Sequence, residues 1–233
     1  MRYSPFYMPD PIIVVMTKAP RAGEVKTRLV PSLTPAEAAS LAASFVRDTV
    51  ETAKEIVANV LIAYAPTDAR IDLEPILPMD LLWFPQQGEN LGERLHSVAT
   101  HVATLGFTPA LILGADSPDL PIAFIREALD VLTVGQADVA LGPTEDGGYY
   151  LVGLRSPVPG LFNNIAWSTS SAYRQTSDNA VALNLRLHVL PGWYDVDTPG
   201  DLDRLRSHAT DEQMQLRTPN TYAWLVDHKI PST

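Results

Sequence analysis

Ile12 to Met16 (IIVVM) is a run of five apolar residues, four of them β-branched, with no polar position for solvent. A run this short and this branched fits a strand better than a helix, and a strand apolar at every position must be covered on both faces. The feature therefore asks for a central strand between two layers of helices.

The remaining chain keeps to that plan. Pro20 and Gly23 interrupt the segment that follows, and TPAE at 34–37 then opens an Ala-rich run to about Ile56. Thr34 as N-cap, Pro35 at the first helical position and Glu37 three residues on form a capping box. Strands are expected near 60–64, 81–84, 110–113, 138–141, 149–154 and 185–190, with helices near 91–105 and 121–132. Strands alternating with helices imply βαβ units and an α/β fold, a three-layer α/β/α sandwich with a mostly parallel, mixed sheet. Residues 155–192 break the rhythm with Pro157, Pro159 and WSTS, so a mixed, antiparallel edge region is expected there. No Gly/Ser-rich linker divides the chain. One domain over 1–233 is expected, with a core at about 11–208 and a tail at 209–233 whose Tyr222 and Trp224 close the core or else meet another subunit.

Charge limits the partners. With 17 Lys and Arg against 27 Asp and Glu, the net charge of -10 argues against a nucleic-acid polymer, whose binding needs many cations on phosphates. A small anion needs only a local basic cluster. Cysteine is absent, which excludes disulfides, a thiolate nucleophile and Cys-ligated zinc. Neither MRYSPFYMPD at the start nor any later run has the apolar length of a signal or membrane segment, so a soluble, cytoplasmic protein without a membrane partner is expected. Oligomeric state is left open by the sequence.

In parallel sheets ligands bind beyond the carboxyl ends of the strands, and the polar oddities of this chain gather there. Lys18, Arg21, Lys26 and Arg28 place four of the 17 basic residues in a twelve-residue loop around Gly23, which suits either a phosphate cradle or a solvated loop. LILGADSPDLP at 111–121 carries an apolar strand directly into Asp116 and Asp119. A strand-end carboxylate is a hard ligand for Mg²⁺ or Mn²⁺, and Asp119 is expected to cap the helix beginning at Pro121. EDGGYY at 145–150 reads as a turn, or as Glu145 or Asp146 orienting or deprotonating a hydroxyl while Gly147 and Gly148 let a substrate approach the backbone. WST, Trp167 with Ser168 and Thr169, reads as a loop anchored by an indole or as a sugar platform. In WYDVDTPGDL at 193–202, Thr198 or Asp197 caps a helix. The five histidines show no metal-ligand spacing.

In their order, KAPRAGEVKTRL, QGENLGERL, LGADSPDLP, EDGGYYLVGL, WST and DVDTPGDL cover most of residues 11–205. This pattern resembles the DUF2064 family of proposed glycosyltransferases, within the nucleotide-diphospho-sugar transferase (GT-A-like) superfamily. More distantly it is similar to phospholactate guanylyltransferases and molybdenum-cofactor nucleotidyltransferases. The resemblance implies that Asp116 and a late acid, Asp197, hold Mg²⁺ or Mn²⁺. It implies that Gln87, Gly88, Leu91 and Gly92 read the base and ribose, and that Lys18, Lys26 and Arg28 meet the phosphates. TKAPRAGEVKTRL stands where the nucleotidyltransferases carry a Gly-rich signature, which argues against a triphosphate, while its cations argue for one. The implied activity is a metal-dependent glycosyltransferase using a nucleotide sugar and a small-molecule acceptor. The alternatives are a nucleotidyltransferase joining a nucleoside triphosphate to a phosphorylated small molecule, and a non-catalytic nucleotide-binding module.

Overall fold

The computed structural model describes residues 9–30, 32–209 and 212–228. The reading of the first ten residues as free of a signal segment lies, apart from residues 9 and 10, outside them. The IIVVM run forms β1 (Ile12–Lys18), between β2 (Asn59–Ala65) and β4 (Ala110–Gly114), parallel to both and in register, Val14 opposite Leu61 and Ile112. With β3 (Leu82–Pro85), β5 (Val139–Pro143), β6 (Tyr149–Leu154) and β7 (Leu187–Val189), a seven-stranded sheet runs β3-β2-β1-β4-β6-β5-β7. Only β6 is antiparallel to its neighbours.

Alternate residues of β1 serve different cores, as a period of two requires. Ile13 and Val15 face a cluster with Val46 and Val50 of α1 (Pro35–Ile56) and Ile125 and Leu132 of α4 (Ile122–Thr133). Ile12 and Val14 face Leu95, Val98 and Val102 of α3 (Leu91–Thr104) and Ala180 of α5 (Ala172–Ala182). All four β1 residues are fully buried, so the expected α/β/α layering holds. A short α2 (Arg70–Leu73) sets Leu73 under the first face. The box on Thr34 forms as expected: its side chain accepts from Glu37 N, and the Glu37 carboxylate accepts from Thr34 N.

Two expectations change. The antiparallel strand is not at the edge: β6 is interior, and the edge strand β7 runs parallel to β5. The direction of β6 is set by the tight turn that joins it to β5, a connection that only an antiparallel neighbour accepts. The segment read as irregular also holds α5, whose few buried positions (Ala172, Thr176, Ala180) are small, one of them polar, and give a weak periodic signal.

A third apolar cluster stands beside the sheet. Leu41 and Phe45, on a second face of α1, pack with Leu29, Tyr194, Val196, Leu202 and Leu205 of α6 (Pro199–His208), Met214 of α7 (Glu212–Arg217), and Trp224 and Leu225 of α8 (Pro219–Asp227). Asp48 of α1, fully buried, accepts from the backbone N–H groups of Asn220 and Thr221 and so caps α8.

Candidate active site

β1 and β4 are adjacent, yet the chain leaves β1 toward β2 on one side and enters β4 from the other. Such a switch point opens a crevice at the carboxyl ends of the strands. A cavity of about 450 Å³ lies there, and its lining includes Lys18, Lys26, Gln86, Asp116, Tyr149 and Asp197.

The loop after β1 turns at Gly23, whose φ of +81° a residue with a side chain adopts only under strain, although space around it is open. Lys26 is itself left-handed, φ 49°, immediately before the 3₁₀ turn Thr27–Leu29. Leu29 is fully buried in the third cluster and its N–H donates to Lys26 O at 2.9 Å, which fixes where Lys26 starts. The Lys26 side chain runs over the Phe45 ring, 5.6 Å from its centroid. Its ammonium then bridges Asp116 Oδ1 and Asp197 Oδ1, the latter at 3.0 Å. The lysine side chain is 5% exposed, the two aspartates 56% and 39%. Burial pulls the ammonium toward neutrality, but the charges and hydrogen bonds of the two aspartates outweigh it and hold the pKa above the ordinary lysine value.

Asp116 follows β4 in a turn stitched to the segment before α6. Val196 N donates to Asp116 O at 2.9 Å, and Ser117 Oγ lies 2.8 Å from Tyr194 O and 2.6 Å from Asp195 Oδ1. Burial pushes the Asp195 carboxyl up to about 6; the charges of Asp116 and Asp197 add to this, and Ser117 and Lys26 oppose it. Thr198 is the N-cap of α6 in a full box with Asp201, which leaves the Asp197 side chain free to meet Lys26 and, at 3.6 Å, Arg28.

Asp119 is no helix cap. α4 begins after Pro121 without a side-chain cap, and Asp119 is buried, 5% exposed. It accepts from Tyr194 Oη at 2.6 Å and Trp193 Nε1 at 3.2 Å, and lies 2.9 Å from His208 Nδ1. This carboxylate anchors the 193–197 segment, with the Arg204 guanidinium 3.9 Å from the Tyr194 ring centre on the other side.

The structure brings together Lys18, Lys26, Asp116 and Asp197, with Arg28 at the margin, and leaves other expected residues apart. Arg21 turns outward to Asp72 at 2.7 Å and Asp68 at 3.1 Å. Leu91 lines the cavity, but Gln87 is exposed outside it. Gly88, φ +128°, shapes the turn into α3, and Arg94 Nε donates to its carbonyl. Gly92 lets α3 approach the chain: a Cβ there would lie 2.8 Å from Phe162 O and from the Trp167 ring. Trp167 packs edge-on against Tyr149 and borders a second cavity of about 380 Å³ instead of the first. Ser168 and Thr169 are exposed, Thr169 Oγ1 closing the loop on Ala166 O. Glu145 pairs with Arg204 at 2.9 Å, and Asp146 closes the turn by accepting from Thr144 Oγ1 and Gly148 N. Gly147, φ +89°, sits where a Cβ would meet Ser170 O at 2.2 Å, so the turn holds the WST loop. None of these four turn residues lines the cavity.

Asp195, which the sequence pairs with Asp197 in WYDVDTPGDL, lies beside the site, and Gln86 joins it without having been singled out in the sequence. Gln86 Nε2 donates to Ala63 O at 2.8 Å and Thr17 O at 3.2 Å, tying the ends of β2 and β1 beneath the cavity. The only signal for it is its place directly after a strand. Among the described residues no three His, Asp or Glu side chains surround one point as metal ligands. The two carboxylates on Lys26 still fit a hard dication, because Mg²⁺ in phosphate sites takes one or two carboxylates and fills its shell from phosphate and water.

The family model described as an uncharacterized protein conserved in bacteria (DUF2064) matches residues 49–169. A candidate nucleotide-diphospho-sugar transferase from Desulfovibrio desulfuricans G20 is 32% identical, with a TM-score of 0.87 over 94% of this chain and 95% of that one. A cytidylyltransferase from Leptospira borgpetersenii serovar Hardjo-bovis matches over 97% of this chain and 99% of its own, at a TM-score of 0.57 and 14% identity. A CMP:2-keto-3-deoxy-manno-octonic acid synthetase complexed with CTP matches over 86% and 98%, at 0.51 and 13%. At those two identities the likeness is one of fold. No curated protein matches the chain.

Proposed function

This chain belongs to the DUF2064 family, and from that premise we propose that it is a metal-dependent transferase using a nucleotide-activated donor, a glycosyltransferase acting on a nucleotide-diphospho-sugar and a small-molecule acceptor. One observation carries the reading: Asp116 and Asp197, from separate segments, converge on one point beside the Lys26 ammonium at the mouth of a strand-end cavity. The candidate nucleotide-diphospho-sugar transferase from Desulfovibrio desulfuricans supports the same donor class.

Asp116 and Asp197 would hold Mg²⁺ or Mn²⁺, which when bound neutralises diphosphate charge as the nucleotide leaves. Lys18 and Lys26 receive the phosphates from the protein side, with Arg28 at the rim. Gln86 and Leu91 form the wall toward the base and ribose, and Gly92 seats that wall against the chain behind it. In the transfer, the bond from the anomeric carbon to the β-phosphate oxygen breaks as the acceptor oxygen bonds to that carbon, and the acceptor proton leaves to solvent or a base. Glu145 and Asp146 lie off the cavity and receive no step.

The cation count favours a diphosphate. Arg21 is committed to Asp68 and Asp72, so fewer free cations face the cavity than the loop's composition suggests. The test is calorimetric titration with nucleoside diphosphates, triphosphates and nucleotide sugars, with and without Mn²⁺, on the wild type and on Asp116→Asn. Metal-dependent binding of a nucleotide sugar, lost in the variant, is expected. Binding of a triphosphate alone with pyrophosphate release would replace the reading with nucleotidyl transfer, and no metal-dependent binding would leave a nucleotide-binding or other module.

A further inference from the structure

We propose that Lys26 is the resident counter-cation of Asp116 and Asp197, so that a divalent cation must displace its ammonium from these carboxylates and thereby frees it for a bound phosphate. The inference rests on the metal-dependent reading above and adds an order of events that the reading does not contain.

The root of Lys26 is fixed independently of the charges. Its left-handed backbone and the buried Leu29 three residues on set the Cα, and the Phe45 ring supports the stem. Only the four-carbon side chain has to move, and lysine is suited to that, being a compact charge on a flexible stem. The exposure is lopsided: the ammonium is covered while both carboxylates open toward solvent and the cavity. A small ion can therefore reach the aspartates with no change of backbone. Ammonium and dication compete for the same pair of carboxylates, because Lys26 Nζ already lies against one oxygen of each and a dication held by both would be repelled by it at short range. The cavity of about 450 Å³ that Lys26 borders is also lined by Lys18, which marks it as the phosphate side.

Lys26 offsets one of the two carboxylate charges in the ligand-free site, and the arrangement couples the site's two ligands. The metal must compete with Lys26 when alone, whereas phosphate offers the displaced ammonium a new partner, so each favours the other.

Mn²⁺ titration without nucleotide, followed by the electron paramagnetic resonance of free Mn²⁺, tests this on the wild type, Lys26→Met and Lys26→Arg. Lys26→Met, which keeps the stem and removes the charge, should bind Mn²⁺ at least about tenfold more tightly, the scale of one close charge interaction. Lys26→Arg, which keeps the competing charge, should bind no more tightly than wild type. Mn²⁺ should also raise the melting temperature of Lys26→Met more than that of wild type, and if the Met variant does not fold, Lys26→Gln takes its place. Equal Mn²⁺ affinity in wild type and the neutral variant, or weaker affinity in the variant, would overturn the inference and leave the transferase reading standing. No Mn²⁺ binding by any of the proteins would overturn both the inference and the metal dependence of the reading.

Discussion

Replacing Asp119 with Ala separates two roles for that residue by magnitude. A helix cap lost to Ala costs about 1 kcal/mol. The observed Asp119 instead carries a buried carboxylate whose oxygens meet Tyr194 Oη, Trp193 Nε1 and His208 Nδ1. Its removal strands an indole N–H, leaves the buried Tyr194 hydroxyl only His208 Nδ1 at 3.3 Å, and takes the carboxylate from a buried network, for which a loss of about 3–5 kcal/mol is expected. For a chain of this size that corresponds to a fall in melting temperature of roughly 10 °C. Urea unfolding followed by tryptophan fluorescence measures it, with Trp193 beside the lesion, and Asp119→Asn should fall between wild type and Ala because it keeps an acceptor oxygen for Tyr194. The 193–197 segment loses its anchor in the same variant, so metal-dependent nucleotide binding should weaken too. A cost near 1 kcal/mol with binding intact would refute the reasoning.

Two more outcomes follow from the geometry. Gly92→Ala puts a Cβ 2.8 Å from Phe162 O and the Trp167 ring, a backbone and an aromatic that give little, so thermal melts should show a loss of about 1–3 kcal/mol, accompanied by weaker nucleotide binding. The Arg186 guanidinium holds the Asp138 carboxyl down at about 2; a lowered carboxylate adds stability that is present above its unfolded pKa of about 4 and is lost as pH falls through the folded value. Acid unfolding between pH about 4 and 2 should therefore be less steep in Asp138→Asn than in the wild type.

The parts of this molecule most legible from sequence are those where one segment decides its own structure. IIVVM is buried on both faces whichever strands flank it, and the Thr34 box closes within four residues. Asp116 was legible for a similar reason, since an acid directly after an apolar strand has few structural uses. Asp119, three residues later, looked like a local cap because its partners are 74 and 75 residues away at Trp193 and Tyr194, and no local pattern encodes them. The position of β6 was hidden in the same way, since the choice of neighbour belongs to the assembled sheet. Arg21 and Lys26 share a loop and a charge sign, yet one faces Asp72 and the other Asp197, a division made by the left-handed turn at Lys26 and the burial of Leu29.

The third apolar cluster ties residues 219–227 to the candidate site. Leu29 lies just behind the Lys26 turn, Tyr194 and Val196 lie just before Asp197, and all three belong to one apolar cluster with Trp224 and Leu225 of α8. That helix, nine residues long, is held by its own packing and by the Asp48 cap, and a short element of this kind outside the sheet opens more readily than the sheet. A chain cut after residue 209 would keep every strand and every residue of the cavity while losing the floor under its charged trio. The softest route to loosening this site, for a protease or an evolving sequence, thus begins more than twenty positions downstream of its last acidic residue, and leaves the rim itself unchanged.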